Sequence, residues 1–266
     1  MPLDINPWLI YTRLMIRFVP KWYDKNRVPV VGDDYIRQYA KMVLADYRPK
    51  LLKEPGMIDV RDFLQNYMKL DAKVADIWQW KEDERIAAAA LFKDTDRFAI
   101  VSERGFCPRF VKAGAGTVVF DRSIVKHDYL LRFTALHEAA HFLMHSFFYE
   151  NRDKSCTRSM IFGSRALITP GDFLEHQANT FAGAILMPDE LFIDTARSFF
   201  KRAGFGDGIW VRHTEKARLN DYVFKEFLVY CRERFGVSHS AAIVQLKKYG
   251  LLEDRYDKDG EELRTA

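Results

Sequence analysis

A five-residue motif, HEAAH at residues 137–141, lies within residues 129–149, where apolar side chains recur at helical spacing. Successive residues of a helix are about 100° apart, so His141 lies about 40° and Glu138 about 100° from His137. Two imidazoles one turn apart can bind one Zn²⁺, while the neighbouring carboxylate reaches the metal's water rather than the metal. The two alanines on the opposite side allow close approach to a sheet. The motif therefore predicts a buried helix that packs on a sheet and carries a metal site.

An alternative is a pair of surface histidines beside a solvated glutamate. The flanking residues are apolar, however, which favours a buried helix; they include Leu130, Phe133, Leu136, Leu143 and Met144. A buried cluster of two histidines and a glutamate without a metal would need other partners. We therefore favour the metal site.

A third ligand is expected from a second helix, predicted over residues 172–187. Glu175 shares one stripe of this helix with Ala178, Asn179 and Ala182. A carboxylate among alanines on an inward stripe is costly unless it is paired, and a metal would pair it. Asn179 could accept the Nδ1–H of a ligand histidine and fix its tautomer. The alternative is an exposed Glu175 that the helix dipole stabilises in the first turn.

Composition excludes several classes of protein. The 266 residues include three cysteines and no C-x-x-C pair, which excludes a disulfide scaffold or a thiolate zinc cluster. No apolar stretch is long enough to span a membrane, and Arg13 and Arg17 interrupt the only apolar run near the N-terminus. A net charge of +4 does not by itself indicate a nucleic-acid partner. We expect a soluble, cytoplasmic protein without a membrane partner.

The pattern along the chain predicts three parts: an aromatic-rich N-terminal extension (1–32), one domain (33–252) and an acidic tail that frays (253–266). The aromatics of the extension either pack on the domain, which we favour, or form a partner-binding arm. Further helices are expected at 33–47, 59–70, 190–202, 215–234 and 238–248. Strands are expected in the segments ADIWQWK, RFAIVSE and GTVVFDRSI. RIAAAALFK could be a helix because of its four alanines, but its shortness and its position between two strand-like segments favour a strand. Residues 151–171 are predicted to form an irregular connection.

The two motifs resemble those of the ImmA/IrrE family of zinc metallo-endopeptidases. That family shows R-x-R-F-T-x-x-H-E-x-G-H-x-x-x-H and, further on, E-x-x-A-N-x-F-A-x-x-L-L-M-P. The matching residues are Arg132-Phe133-Thr134, HEAAH, His145, and E-H-Q-A-N-T-F-A-G-A-I-L-M-P from Glu175 onward. The segment 235–252 is similar to the end of the family pattern. The departures are Ala140 for glycine, Ile185 for leucine, Gln245 for arginine and the long extension, and none of them removes a ligand.

The resemblance implies a gluzincin-like zinc site with His137, His141 and Glu175 as ligands and Glu138 as the catalytic base. It also implies a zinc-dependent endopeptidase whose protein substrate is a helix-turn-helix transcriptional repressor, and a locus on a mobile element. The expected fold is α+β, a small and largely antiparallel sheet covered by the zinc helices, with a helical C-terminal part.

The residue that stabilises the oxyanion is left open among His145, Tyr149 and Arg132. His145 lies about 12 Å along the helix from His137, so we assign it to the surroundings of the metal or to substrate contact, with core packing as the alternative. His176 points away from Glu175 and is expected off the metal. The strand at 116–124 is expected to form a sheet edge beside the zinc, to which an extended peptide could add.

The sequence also suits two other functions. Residues 220–252 resemble a helix-turn-helix, and residues 197–250 hold eleven basic and five acidic side chains, which would suit DNA phosphates. The predicted recognition helix has few side chains suited to base edges, so a packed helical pair is favoured over direct DNA binding. A catalytically silent regulatory relative is disfavoured by the intact ligands and Glu138.

Overall fold

A computed structural model describes residues 16–80, 85–103, 105–150, 156–159, 170–204, 209–212 and 215–254. The N-terminal half of the extension, most of the connection predicted at 151–171 and most of the acidic tail lie outside these residues. Within the described part of the chain, no helix combines the length and the apolar character that crossing a membrane requires.

The structure combines helices with three small sheets. The helices are α1 (Asp33–Tyr47), α2 (Arg122–Val125), α3 (Asp128–Glu150), α4 (Pro170–Leu186), α5 (Asp189–Arg202), α6 (Glu215–Tyr230) and α7 (His239–Lys248). The strands are β1 (Asp71–Ala75), β2 (Ala88–Leu91), β3 (Thr95–Val101), β4 (Pro108–Ala113), β5 (Thr117–Asp121), β6 (Cys156–Ser159), β7 (Trp210–Arg212) and β8 (Leu252–Asp254). A 3₁₀ turn (Pro49–Leu52) and two π-helical segments (Asp62–Tyr67 and Cys231–Phe235) complete the described elements. The predicted α+β class is confirmed.

The largest sheet has the strand order β1-β5-β2-β6. β2 is antiparallel to both of its neighbours, whereas β1 and β5 run parallel. The sheet is therefore largely antiparallel, as expected. The expectation that the strand at 116–124 is a sheet edge is wrong, because β5 lies between β1 and β2 and ends at Asp121, where α2 begins.

Small side chains bring the helix of the HEAAH motif close to this sheet. The three alanines of β2, Ala88–Ala90, are buried, as are Ala139 and Ala140 on α3. α3 packs against β2 and β6. Phe92 follows β2 and packs against two rings of α3. Its ring centroid lies 4.6 Å from that of Phe142, and it stacks on Tyr149 with a centroid distance of 4.7 Å. The predicted burial of this helix against a sheet is thus observed.

The described part of the extension packs on α1. Phe18 is buried, and its ring lies 5.7 Å from that of Tyr35 and 5.0 Å from that of Tyr39. The Tyr35 hydroxyl donates to the carbonyl of Val19 (2.6 Å), and the Tyr39 hydroxyl donates to that of Ile16 (2.9 Å). This agrees with the favoured reading of the extension for Phe18, whereas Trp22 and Tyr23 are exposed.

Three local predictions need correction. The strand expected in ADIWQWK does not form in the described residues 75–80, since β1 ends at Ala75 and Ile77 makes an isolated bridge to Ile100. The helix expected at 59–70 is shorter, since its π-helical segment ends at Tyr67 and Lys69 takes a positive φ of 57°. The connection predicted at 151–171 contains a strand, β6, which pairs with β2. Neighbouring strands supply the backbone hydrogen bonds that decide whether such a short segment becomes a strand.

The chain divides into two compact units, residues 1–49 with 58–185 and residues 50–57 with 186–266. The core of the second unit is aromatic, formed by Phe192, Phe199, Phe200, Trp210, Phe227 and Phe235. Ser238 caps α7 as its side chain accepts a hydrogen bond from the backbone of Ala241 (3.1 Å). Gly236 supplies the left-handed turn before this cap with a φ of 68°. The domain boundaries expected from the sequence stay a prediction.

Candidate metal centre

The two histidines of the HEAAH motif point to one place. His137 and His141 lie one turn apart on α3, and both are fully buried. Their Nε2 atoms are 3.1 Å apart. Glu138, the residue between them in the motif, is also fully buried. The motif thus places two imidazoles and a carboxylate in the interior of the protein.

Glu175 reaches the same place from α4. Its Oε2 lies 3.0 Å from His137 Nε2, and its Oε1 lies 3.3 Å from His141 Nε2. The carboxylate is 34% exposed, whereas the two imidazoles are not. The structure thus brings together the three residues that the sequence predicted as ligands. Among the described residues, these three form the one cluster whose donor atoms, all within 4.8 Å of one another, could hold a metal ion.

The donor set fits zinc. Bonds of about 2.0–2.1 Å to nitrogen and oxygen in a tetrahedral site place neighbouring donor atoms roughly 3.3 Å apart. The distances between the carboxylate oxygens and the Nε2 atoms, 3.0 and 3.3 Å, agree with that spacing. Two imidazoles and one carboxylate leave one position of a four-coordinate site for water or substrate.

The charges of the cluster support metal binding. Burial raises the pKa of Glu175, but the neighbouring histidines outweigh it and hold the pKa well below the usual value. Burial lowers the pKa of His137, but its hydrogen bond to Glu175 and the charges of Glu175 and Glu138 outweigh that effect and raise the pKa. Glu175 is therefore ionised at neutral pH, the form that binds a cation.

Asn179 lies where the sequence predicted it. Its Oδ1 is 3.0 Å from Nδ1 of His137. An amide oxygen only accepts, so in the neutral ring Nδ1 carries the proton and Nε2 keeps its lone pair. This contact turns Nε2 of His137 toward Glu175, where Nε2–H of the protonated ring donates to the carboxylate and Nε2 of the neutral ring could bind a metal.

His145 lies one further turn along α3. Its Nδ1 is 3.0 Å from Nδ1 of His141, and its Nε2 is 3.0 Å from Oε1 of Gln177. Both of its ring nitrogens are thus occupied inside the protein, and the side chain is fully buried. Burial, and next the neighbouring His141, lower the pKa of His145 well below the usual value.

Gln177 is the residue of this site that sequence reasoning missed. It lies about 200° around the helix from Glu175, which suggested the opposite face. The available signal was its place in a second stripe: it follows Leu174 by three residues and precedes Phe181 by four, and both of these are fully buried. A glutamine in such a stripe needs hydrogen-bond partners.

The remaining predicted residues lie around the cluster. Tyr149 is buried, with its ring 5.9 Å from that of His141. Arg132 is half-buried on α3, about one and a half turns before His137. His176 is bonded to Asp33 (2.9 Å) rather than to the cluster, as expected.

Comparison with known families supports a metallopeptidase-like class. Residues 126–203 match the model of the Peptidase_M78 family, described as the IrrE N-terminal-like domain. This segment contains α3 and α4, the two helices that carry the cluster. The resemblance to the ImmA/IrrE family is confirmed by this match, which supports a peptidase and hence a hydrolase. No curated protein matches the chain.

Proposed function

We propose that this protein is a zinc-dependent endopeptidase that hydrolyses a peptide bond in a protein substrate. The observation that carries the proposal is the convergence of His137, His141 and Glu175, with Glu138 adjacent to the first ligand on the same helix. A structural role for such a cluster would not require a second buried carboxylate beside it, whereas hydrolysis requires a base.

His137, His141 and Glu175 would hold the zinc. When bound there, zinc polarises the scissile carbonyl and acidifies water. Glu138 takes a proton from the attacking water as the new carbon–oxygen bond forms. As the carbon–nitrogen bond breaks, Glu138 returns this proton to the leaving amine.

Of the three oxyanion residues predicted from the sequence, we retain Tyr149 and Arg132. His145 is unsuited to substrate contact, because both of its ring nitrogens are already occupied inside the protein. Tyr149 packs against the ring of His141, and Arg132 lies before the motif on the same helix.

For the substrate we propose a helix-turn-helix transcriptional repressor, the class that the family resemblance implies. The test is to express the protein together with the repressor genes found beside its own and to look for cut fragments by mass spectrometry. We expect fragments with the wild-type protein. The absence of fragments for every neighbouring repressor would contradict the substrate class.

The matched variant for this experiment is Glu138→Gln, which keeps the size of a fully buried side chain and all three ligands. It should still carry one zinc per chain while cleavage falls about 10²–10⁴-fold. Cleavage that is unchanged in Glu138→Gln would exclude the role proposed for this residue. Wild-type protein that binds no zinc would contradict the metallopeptidase proposal itself.

A further inference from the structure

We propose that Gln177 and the backbone carbonyl of Pro29 fix the tautomer of the ligand His141, acting through His145. Gln177 and His145 are then positioning residues of the metal centre. This inference rests on the zinc site proposed above. It also gives a role to a described part of the N-terminal extension, from which Pro29 comes.

The direction of the hydrogen bonds begins at Pro29. A backbone carbonyl only accepts, so the Nε2 of Gln177, 2.8 Å away, must donate to it. The orientation of the Gln177 amide follows, and its Oε1 faces Nε2 of His145 at 3.0 Å. Since an amide oxygen accepts, Nε2 of His145 carries a proton.

The same logic continues to the metal ligand. In a neutral ring protonated at Nε2, Nδ1 of His145 is an acceptor. Nδ1 of His141, 3.0 Å away, must then donate to it. In the neutral ring, the form that binds a metal, the lone pair of His141 is thereby left on Nε2, the atom that lies 3.3 Å from Glu175. The hydrogen-bonded chain therefore turns the metal-binding nitrogen of His141 toward the cluster.

Burial prevents water from rearranging this chain. His141 and His145 are fully buried, and Gln177 is 5% exposed. If His145 were instead protonated at Nδ1, its Nε2 and the Gln177 oxygen would face each other as two acceptors, and the Nδ1–H groups of His145 and His141 would face each other as two donors. No solvent reaches these groups to compensate.

The start of the chain is held in place by the extension. Val28, the residue before Pro29, is buried, and its backbone N–H donates to Asp24 (2.8 Å). Pro29 also forms an antiparallel bridge with Tyr23. The position of the Pro29 carbonyl is therefore set before any metal binds.

The tautomers can be observed directly in the metal-free protein. Long-range ¹⁵N–¹H NMR on protein labelled at histidine distinguishes Nδ1–H from Nε2–H. We expect His145 to be protonated at Nε2 and His141 at Nδ1. The reverse assignment at either ring would overturn the inference, whether or not the protein proves to be a peptidase.

The effect on the metal is tested with Gln177→Met, which removes both hydrogen bonds at similar volume. The matched control is Gln245→Met, because Gln245 is an equally buried glutamine that bonds to Tyr249 rather than to the cluster. Zinc affinity is measured by competition with a chelator. We expect Gln177→Met to bind zinc about 10–100-fold more weakly and Gln245→Met to match the wild type. Equal affinity in all three would overturn the inference.

A second pair of variants separates positioning from packing. His145→Asn keeps an acceptor for Nδ1 of His141, whereas His145→Leu offers none. We expect Asn to retain most of the zinc affinity that Leu loses. Equal losses in the two variants would show a packing role and overturn the inference. Wild-type protein without zinc affinity would instead remove the proposed function, while the tautomer measurement would still stand.

Discussion

Zinc binding should displace a proton from His137 near neutral pH. In the metal-free protein, burial lowers the pKa of this imidazole, but the carboxylate of Glu175 at 3.0 Å and the charge of Glu138 raise it above the ordinary value of 6.5. A metal ligand must be the neutral imidazole, so zinc competes with the proton.

One displaced proton makes the zinc Kd fall about tenfold, or about 1.4 kcal/mol, for each unit by which the pH rises while it is still below the raised pKa of His137. The dependence on this proton ends once the pH exceeds that pKa. The raised pKa adds stability to the metal-free protein that is fully present below pH 6.5 and is lost as the pH rises through the raised value. The stabilisation of the folded protein by bound zinc instead increases with pH, because zinc has fewer protons to displace from His137.

Isothermal titration calorimetry in buffers of different ionisation enthalpy counts the released protons. We expect His137 to release more than half a proton per zinc at pH 6.5, and this release should decrease toward none as the pH rises above the raised pKa. In metal-free Glu175→Gln, an NMR titration should place the pKa of His137 below the wild-type value, because burial is then opposed only by weaker interactions. A wild-type Kd that does not change above pH 6.5, or an unchanged pKa in the variant, would refute the reasoning.

Three further results are expected. Asn179→Leu should weaken zinc binding about 10–100-fold in chelator competition. Asn179→Asp keeps an acceptor for His137 and should bind zinc as tightly as the wild type. Equal losses of affinity in the two variants would contradict the role of the acceptor. Ala139→Leu should overpack the fully buried side of α3 and lower the free energy of unfolding by about 1–3 kcal/mol in urea titrations, and an unchanged midpoint would contradict the close helix–sheet packing. Phe227→Ala should destabilise the second unit by about 3–5 kcal/mol, because this ring is fully buried. Phe106→Ala, at a side chain that is 92% exposed, should change stability by less than about 0.5 kcal/mol. Similar effects of the two substitutions would contradict the assigned aromatic core.

The helices that carry the site could be predicted because their chemistry follows the period of a helix. The spacing of His137 and His141 determines which side of α3 they share, and the alanines between them indicate close packing. The stripe of Glu175 and Asn179 similarly identified the face of α4 that meets these imidazoles. The predicted bounds of both helices agree with the structure to within two residues.

The arrangement of the strands could not be predicted in this way. A strand pattern shows which side chains are buried but not which strand lies beside it, and this is why β5 was expected at an edge. Gln177 was missed for a related reason, since its partners come from α3 and from the extension, far away in the sequence. Such contacts depend on tertiary packing, which periodicity does not encode.

The zinc site itself is tested most directly by a crystal structure of the zinc-loaded protein, with diffraction data collected on both sides of the zinc absorption edge. We predict one strong anomalous peak per chain, bonded to Nε2 of His137, Nε2 of His141 and a carboxylate oxygen of Glu175. A peak bonded to other side chains, or a cluster that stays empty while zinc binds elsewhere, would contradict the proposed metal centre.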